Sequence, residues 1–315
     1  MSLRCLVLAA ALLASPCALA QQPAAYEPPR TADGRPDLQG VWGAAFLTSM
    51  ERPEDIKELV LTDEHARDLG AKWSKETPDL VDPDFFLQNI SQLASVKGTM
   101  RSSLLILPED GQMPFTEKGV KLAERASELE EYAFDNPEER STTERCIAGQ
   151  GQAPIRQIPA FIPNLIVQTP ASIALVTEDV GSLRIIHMDG RTAPPEVVRS
   201  YEGWSAGHWD GDTLVVVTTH TRADDLVRGQ FGRPVLVGPG SKVIERFTRL
   251  SADELHYEFT VEDPDLYTAP WLAEYVFKLA DTPWYEYACH EANYSIVNAL
   301  LAARVGRQSK PKPKK

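Results

Sequence analysis

From Ile155 onward, short apolar segments alternate with turn signals along the chain. Runs such as LIVQT, SIALVTE, TLVVVTT and WLAEYVFKL have the length and β-branched content of strands. Asp189-Gly190 and Asp210-Gly211 are each predicted to close a hairpin, because both dipeptides adopt positive φ at low cost. About eight to ten strands with short connections and no helices between them predict an antiparallel sheet.

Closure of this sheet into a barrel would remove its exposed edges, and the fixed-period repeat of a propeller is not found in the sequence. The short strand Gly40-Val41-Trp42 resembles the first strand of lipocalin-like barrels, in which the tryptophan closes one end. The predicted fold is therefore mainly β: an antiparallel lipocalin-like (calycin-like) barrel over residues 146–305 with a closing C-terminal helix. Residues 21–50 form a leader and the first strand, and residues 306–315 a basic disordered tail.

Residues 51–145 show a helical pattern and carry most of the net negative charge. Thr62 is predicted to cap a helix that runs to about Lys75, and Thr116 to cap a second helix. This zone holds 22 acidic and 12 basic side chains, against 45 and 32 in the whole chain of 315 residues, whose net charge is −13. We predict an acidic helical insertion or lid beside the barrel.

The N-terminus has the features of a secretory signal peptide. Arg4 precedes the apolar run LVLAAALLA and the small-residue site Ala18-Leu19-Ala20, so cleavage is predicted after Ala20 and the mature protein is predicted to be periplasmic or secreted. A lipid anchor at Cys17 is disfavoured, because Pro16 precedes it and the Leu-small-small-Cys pattern is missing. No later run approaches about 18 apolar residues, so no membrane span is predicted.

The amino-acid composition argues against several classes of protein function. Hydrophobic residues make up 43% and charged residues 24%, which argues against disorder over most of the chain. The acidic balance argues against sequence-independent nucleic-acid binding, because it repels phosphates. Motifs for nicotinamide, flavin or nucleotide cofactors are not found, and the six histidines show no local metal spacing. No cofactor and no metal are predicted, although distant histidines that converge in a barrel stay an open alternative.

Export also determines how the cysteines are interpreted. Cys146 and Cys289 remain after cleavage, and an even pair in an oxidising compartment predicts a disulfide. The alternative is a catalytic thiol at Cys289 with His290 beside it. That alternative is disfavoured, because adjacent side chains on a strand point to opposite faces.

The stretch YEYACHEANY concentrates polar groups where the last strand meets the last helix. Tyr287, His290, Glu291 and Asn293 fall within it, and His290 could act as a general base with a carboxylate fixing its tautomer. The structural alternative is that His290 or Asn293 caps the helix and Glu291 favours its dipole.

A second group surrounds the Asp210-Gly211 turn. His208, Trp209 and Asp210 could form an acid/base pair or a carboxylate-rich metal site. The alternative is that the aspartates serve the turn and Trp209 packs against neighbouring side chains.

A third group comes from the two strands around the predicted turn at residues 251–254. The register places Phe247 opposite Glu258, with Arg246 on the apolar face, where it would need a partner or a bound anion. His256 and Glu258 then share a polar face that lines either a cavity or the solvent.

Five motifs recur together in this chain: DGRPDLQGVW, GHWDGDTLVV, ERFTR, YEFTVEDP and YEYACHE. Together they resemble a family of exported bacterial β-rich proteins of about 300 residues. The resemblance covers residues 30–50 and about 145–305, and a glycine is expected at the position of Ala292. It implies export and a β-rich fold, but it carries over no activity and no catalytic residue.

The leading functional hypothesis is an exported protein that binds and converts a small organic molecule by cofactor-independent hydrolysis, elimination or isomerisation. The alternative is a non-enzymatic periplasmic ligand carrier or an envelope interaction protein, and the sequence leaves the oligomeric state open. The predicted catalytic residues are His290, His208, Glu291 and Asp210. The predicted ligand-binding residues are Trp42, Trp209, Arg246, Tyr257, Trp271, Tyr287 and Asn293.

Overall fold

A computed structural model describes residues 26–76, 92–132, 134–156, 161–228, 233–291 and 293–308, and side chains 76, 129–132 and 307–308 lie outside that description. The predicted signal peptide with its cleavage site, Ala292 and the tail beyond residue 308 also lie outside it. The strands are β1 (Gly40–Gly43), β2 (Val60–Leu61), β3 (Ser95–Val96), β4 (Thr99–Arg101), β5 (Leu105–Leu107), β6 (Asn164–Gln168), β7 (Ser172–Thr177), β8 (Ser182–His187), β9 (Trp204–Asp210), β10 (Thr213–Thr219), β11 (Val227–Arg228), β12 (Val235–Leu236), β13 (Lys242–Arg249), β14 (Glu254–Glu262) and β15 (Trp271–Leu279). The helices are α1 (Asp63–Glu76), α2 (Glu117–Tyr132) and α3 (Tyr294–Gln308).

Nine strands close into a barrel in the order β1-β6-β7-β8-β9-β10-β13-β14-β15, and β15 pairs back with β1. This confirms the predicted β-rich barrel. The barrel is mixed rather than antiparallel, because β8 and β9 run parallel. Parallel neighbours cannot be joined by a tight hairpin, so the hairpin predicted at Asp189-Gly190 is wrong and residues 188–203 form a longer crossover. The hairpin at Asp210-Gly211 is confirmed, with Asp210 paired to Thr213 and Gly211 at φ +58°.

Aromatic side chains fill much of the barrel interior. Alternate positions of β13, β14 and β15 point inward, as the two-residue period of a strand requires. The rings of Tyr257 and Tyr275 lie 5.0 Å apart, and those of Phe259 and Trp271 lie 5.6 Å apart. Trp42 is fully buried and its Nε1 donates to the carbonyl of Leu38 at 2.9 Å. Each buried ring of this kind stabilises the fold by about 1.5–3 kcal/mol.

The zone at residues 51–145 contains helices and strands. The predicted caps are confirmed, because the hydroxyls of Thr62 and Thr116 accept backbone N–H groups in the first turns of α1 and α2. Strands β2, β3 and β4 form a separate small sheet, and β5 pairs with the first half of β15. The zone thus contains both predicted helices together with four short strands that the sequence did not predict. These strands have only two or three residues each, which is too short for a periodic pattern to be read.

A buried ionic cluster fixes this zone to the outer wall of the barrel. The Nη2 atom of Arg101 lies 2.8 Å from Oε1 of Glu274, and Nε2 of His256 lies 2.9 Å from Oε2 of the same carboxylate. All three residues are buried. Burial alone would raise the pKa of Glu274, but the hydrogen bonds from His256 and Arg101 outweigh it and lower the pKa to about 2.

The predicted disulfide between Cys146 and Cys289 is confirmed, with Cα atoms 5.7 Å apart and a sequence separation of 143. It joins the segment before β6 to the residues that lead into α3. Among the described residues, no helix is both long and apolar enough to cross a membrane.

The low pKa of Glu274 predicts a pH-dependent attachment of the insertion. A carboxyl whose pKa is lower in the folded state contributes stability above its ordinary pKa and loses that contribution as the pH falls towards the folded value. We expect the free energy of unfolding of the wild type to exceed that of Glu274→Gln at neutral pH, with the difference shrinking between pH 4.5 and about 2. Urea unfolding of both proteins across this range measures it, and a difference that is independent of pH would contradict it.

The disulfide predicts a large loss of stability on its removal. A double variant, Cys146→Ser with Cys289→Ser, should lower the free energy of unfolding by about 2–5 kcal/mol, because the bond constrains a long loop in the unfolded chain. Urea unfolding of the oxidised wild type and the variant measures this. The wild type under reducing conditions is the control and should match the variant. An unchanged unfolding midpoint would contradict the prediction.

Candidate functional site

The register of β13 and β14 determines which charge enters the barrel. Arg249 pairs with Leu255, so the connection between the strands is one residue shorter than predicted and Phe247 faces Tyr257 rather than Glu258. A shift of one residue moves every side chain to the other face of the sheet. The placement of Arg246 on the apolar face is therefore wrong: it lies on the outer wall, 3.0 Å from the carboxylate of Asp210.

Glu245 is the residue that points inward instead, and it forms a buried ion pair with Arg184 of β8. Nη2 of Arg184 donates to Oε1 of Glu245 at 2.9 Å, and Nη1 donates to Oε2. The hydroxyl of Tyr257 also donates to Oε1 of Glu245, at 2.7 Å. Burial lowers the pKa of Arg184, but Glu245 outweighs it and the net change is a rise. Burial and the neighbouring Glu245 raise the pKa of Tyr257 well above its ordinary value.

A loop segment crosses this end of the barrel and is held by two tyrosines. The N–H of Ile155 donates to the hydroxyl oxygen of Tyr257 at 2.8 Å, and its carbonyl accepts from the hydroxyl of Tyr275 at 3.0 Å. The segment brings Gln152 inside, where its Nε2 donates to Oδ2 of Asp225 at 2.6 Å. Nη1 of Arg228 donates to the same oxygen at 3.1 Å. The carboxamide and the guanidinium thus lie on either side of one carboxylate oxygen.

These contacts assemble a set of polar side chains that we call the barrel-end cluster. Its members interact electrostatically or by hydrogen bonds with one another, and they include three guanidinium groups and four carboxyl groups. The cluster consists of Gln150, Gln152, Arg156, Asp179, Ser182, Arg184, Glu202, Asp225, Arg228 and Glu245.

The interior position of the cluster changes the acidity of its members. Burial raises the pKa of Glu202, partly offset by the hydrogen bond from Ser182 and the charges of Arg184 and Arg228. Burial likewise raises the pKa of Asp179. Burial and the like charge of Arg228 lower the pKa of Arg156 to about 10. A carboxyl of raised pKa close to guanidinium groups is a common arrangement in functional sites.

Several buried atoms of the cluster have no hydrogen-bond partner within the part of the chain that the structure describes. They are Oε2 of Glu202, Oε1 of Gln152, Oε1 of Gln150, Nε of Arg184, and Nε and Nη2 of Arg228. Buried polar atoms are paired in the great majority of proteins, so each exception needs a physical explanation. The cluster therefore has both donors and acceptors available for another molecule.

The sequence-predicted catalytic residues lie in two other places. His208 and Asp210 point outward from β9 and are exposed. His290 and Glu291 are exposed in the turn before α3. The structure does not place either pair inside the barrel-end cluster, and these assignments stay predictions.

The predicted ligand-binding residues are likewise divided. Trp42 and Trp271 are fully buried in the packed core, Trp209 packs against that core from the inner side of β9, and Tyr257 belongs both to the core and to the network around Glu245.

Tyr287 and Asn293 line a surface groove beside the disulfide, with a volume of about 540 Å³. Arg140, Thr143, Glu144 and Ser295 also line it, and Arg140 pairs with Glu144 at 2.8 Å. Nδ2 of Asn293 donates to the carbonyl of Glu144 at 2.8 Å. This groove is therefore built largely from groups that already satisfy one another.

Sequence reasoning missed most of the barrel-end cluster. Arg184 lies in the run SLRIIHM between the inward-facing Ser182 and Ile186. Glu245 lies in KVIERFTRL as a charge between two inward-facing apolar residues, Val243 and Phe247. That signal was available for Glu245, but the predicted register assigned it to the wrong face. Arg228 lies in a strand of only two residues, so no pattern marks it.

Comparisons of the chain with family models, with curated proteins and with solved structures return no match. The family resemblance drawn from the five motifs therefore stays a prediction. Among the described residues, no group of three or more histidine, cysteine or carboxylate side chains is placed to hold a metal ion.

Substitution of the buried ion pair Arg184–Glu245 should lower the free energy of unfolding more than substitution of the exposed pair Arg246–Asp210. Glu245→Gln should lower the free energy of unfolding by about 3–5 kcal/mol, because it leaves the buried charge of Arg184 uncompensated. Arg246→Ala, on the same strand but on the outer wall, should lower it by about 1 kcal/mol or less. Urea unfolding of both variants measures the contrast, and equal effects would contradict the assignment of the two faces.

Proposed function

We propose that the barrel-end cluster binds a small organic molecule and converts it by acid/base chemistry, as in a hydrolysis, elimination or isomerisation without a redox cofactor. The observation that carries the proposal is the carboxyl group of Glu202. One of its oxygens accepts from Ser182, while the other is buried and has no partner among the described residues. A positioned carboxyl with a free oxygen and a raised pKa has the properties of a general acid or base.

The neighbours of Glu202 support this role. Ser182 orients the carboxyl group, so that the free oxygen keeps a fixed direction. The positive charges of Arg184 and Arg228 lie close enough to influence Glu202, and such charges stabilise negative charge that develops on a substrate. The chemistry therefore requires only side chains that the cluster already contains.

Packing of the core favours the barrel end over the barrel centre as the place of binding. Trp42, Tyr257 and Trp271, which were predicted to bind the ligand, are fully buried against other core residues. A ligand at the barrel end would contact polar groups at the border of this core. The proposal keeps the lipocalin-like description of the barrel, with the ligand at its end.

We also propose that the protein acts in the periplasm or outside the cell, where it has been exported through its N-terminal signal. The disulfide between Cys146 and Cys289 supports an oxidising compartment.

The non-enzymatic alternative, an envelope interaction protein, has one observation in its favour. Val167, Leu183 and Ile185 are exposed on the outer wall formed by β6, β7 and β8. Exposed apolar surface of this kind is typical of protein contacts. A function in protein contacts gives no role to the buried polar atoms of the barrel-end cluster that have no partner among the described residues. We therefore favour the enzymatic function.

The proposal predicts opposite results for Glu202 and His290. In a screen of small esters, lactones and hydroxy acids followed by NMR, the wild type should convert at least one compound. Glu202→Gln should reduce its turnover by about 100-fold or more, because the proton-transfer group is lost. His290→Ala, at the exposed turn, should retain turnover.

The pH profile gives a second readout on the same substrate. If Glu202 acts as the base, activity should fall on the acidic side at a pH above the ordinary range of a glutamate, since burial raises its pKa. Unchanged turnover in Glu202→Gln, with an unchanged unfolding midpoint, would refute the proposal. Loss of turnover only in His290→Ala would return catalysis to the turn before α3.

A further inference from the structure

Arg228 is fully buried, yet only one side of its guanidinium group is used. Nη1 donates to the backbone carbonyl of Asp225 at 2.7 Å and to its carboxylate at 3.1 Å. Nε and Nη2 have no hydrogen-bond partner among the described residues. Nε and Nη2 form one edge of the planar group, and two N–H bonds point from that edge in nearly the same direction.

Other arginines of this chain show what that edge binds. Each of four arginines directs both Nε and Nη2 at a carboxylate, over distances from 2.5 to 3.3 Å. These pairs are Arg101 with Glu274, Arg140 with Glu144, Arg191 with Asp189, and Arg222 with Asp224. Arg228 is as buried as any of them, and its edge meets no carboxylate of the described chain.

Burial makes the open edge of Arg228 costly to leave empty. Removal of a charged donor from water without a compensating acceptor is unfavourable, and burial already lowers the pKa of Arg228 despite the charges of Asp225 and Glu202. A ligand with two coplanar oxygens would satisfy both N–H groups at once. Asp179 of the cluster and the neighbouring Tyr201 are only partly buried, so the cluster lies close to solvent.

We propose that the Nε–Nη2 edge of Arg228 is the binding site for a carboxylate group of the ligand. This inference rests on the proposed function and names its substrate class. Gln152 donates to the same carboxylate oxygen of Asp225 as Arg228 does. Its Nε2 also donates to the backbone carbonyl of Tyr201, which fixes the orientation of the carboxamide. The Oε1 atom of this carboxamide has no partner among the described residues and is an open acceptor. An open acceptor there selects a hydroxyl or amino group on the ligand. The substrate class is therefore a small hydroxy- or amino-carboxylate.

The inference is tested by the binding of carboxylic acids and their neutral amides to the wild type and to two arginine-to-lysine variants. The probes are glycolate and 4-hydroxybenzoate, their neutral amides, and inorganic phosphate, and calorimetry gives each dissociation constant. The wild type should bind at least one acid about tenfold or more tightly than the matching amide. Arg228→Lys, which keeps the charge beside Asp225 and removes the edge, should lose about tenfold or more of that affinity. Arg222→Lys, whose edge already holds Asp224, should bind like the wild type.

A direct signal from Arg228 makes the test independent of whether the lysine variant folds. In the wild type, the Nε–H resonance of Arg228 should shift on addition of the acid and stay in place on addition of the amide. Equal binding of acid and amide, binding of phosphate alone, or unchanged affinity in Arg228→Lys would overturn the inference.

The same data separate this inference from the proposed function. If the protein converts a neutral compound, this turnover requires Glu202, and none of the acid probes binds, the carboxylate assignment is wrong and the acid/base proposal stands. Absence of both binding and turnover would overturn both.

Discussion

The ion pair between Arg184 and Glu245 is the constraint on which the barrel end depends. Two charges inside a barrel are stable only if their remaining hydrogen-bonding capacity is satisfied by neighbours. Tyr257 supplies one such bond to Glu245, and its hydroxyl oxygen then accepts the N–H of Ile155. The loop segment that carries Gln152 is thereby held in the barrel end. The ion pair between Arg184 and Glu245 thus determines where the rest of the polar network can form.

The apolar part of the barrel and its polar end have complementary roles. Aromatic side chains pack the interior and supply most of the burial that stabilises the fold. On the outer wall, Arg101, His256 and Glu274 fix the insertion against the barrel. Among the described residues, most buried polar atoms without a hydrogen-bond partner lie instead at the barrel end, where the protein gives up stability to keep donors and acceptors available. This is the balance expected when a rigid scaffold supports a functional site.

The sequence was sufficient for features set by local chemistry. The helix caps at Thr62 and Thr116, the turn at Asp210-Gly211 and the disulfide follow from rules that act over a few residues or from an even number of cysteines. A β-rich barrel follows from the two-residue period of its strands.

Features set by pairing over longer distances could not be predicted in the same way. A connection one residue shorter than expected between β13 and β14 places Glu245, rather than Arg246, on the inner face. The crossover at residues 188–203 contains a turn dipeptide, Asp189-Gly190, but leads to a parallel neighbour. The cluster itself joins residues from Gln150 to Glu245, which only the closed barrel brings together.

The most direct test of the central claim is a crystal structure of the protein grown with 4-hydroxybenzoate or glycolate. The account predicts a carboxylate with both oxygens within hydrogen-bond distance of Nε and Nη2 of Arg228, and its hydroxyl group on the side of Gln152. A carboxylate or carbonyl of the protein itself on that edge of Arg228 would contradict the account, because the barrel-end cluster would then be a closed structural network.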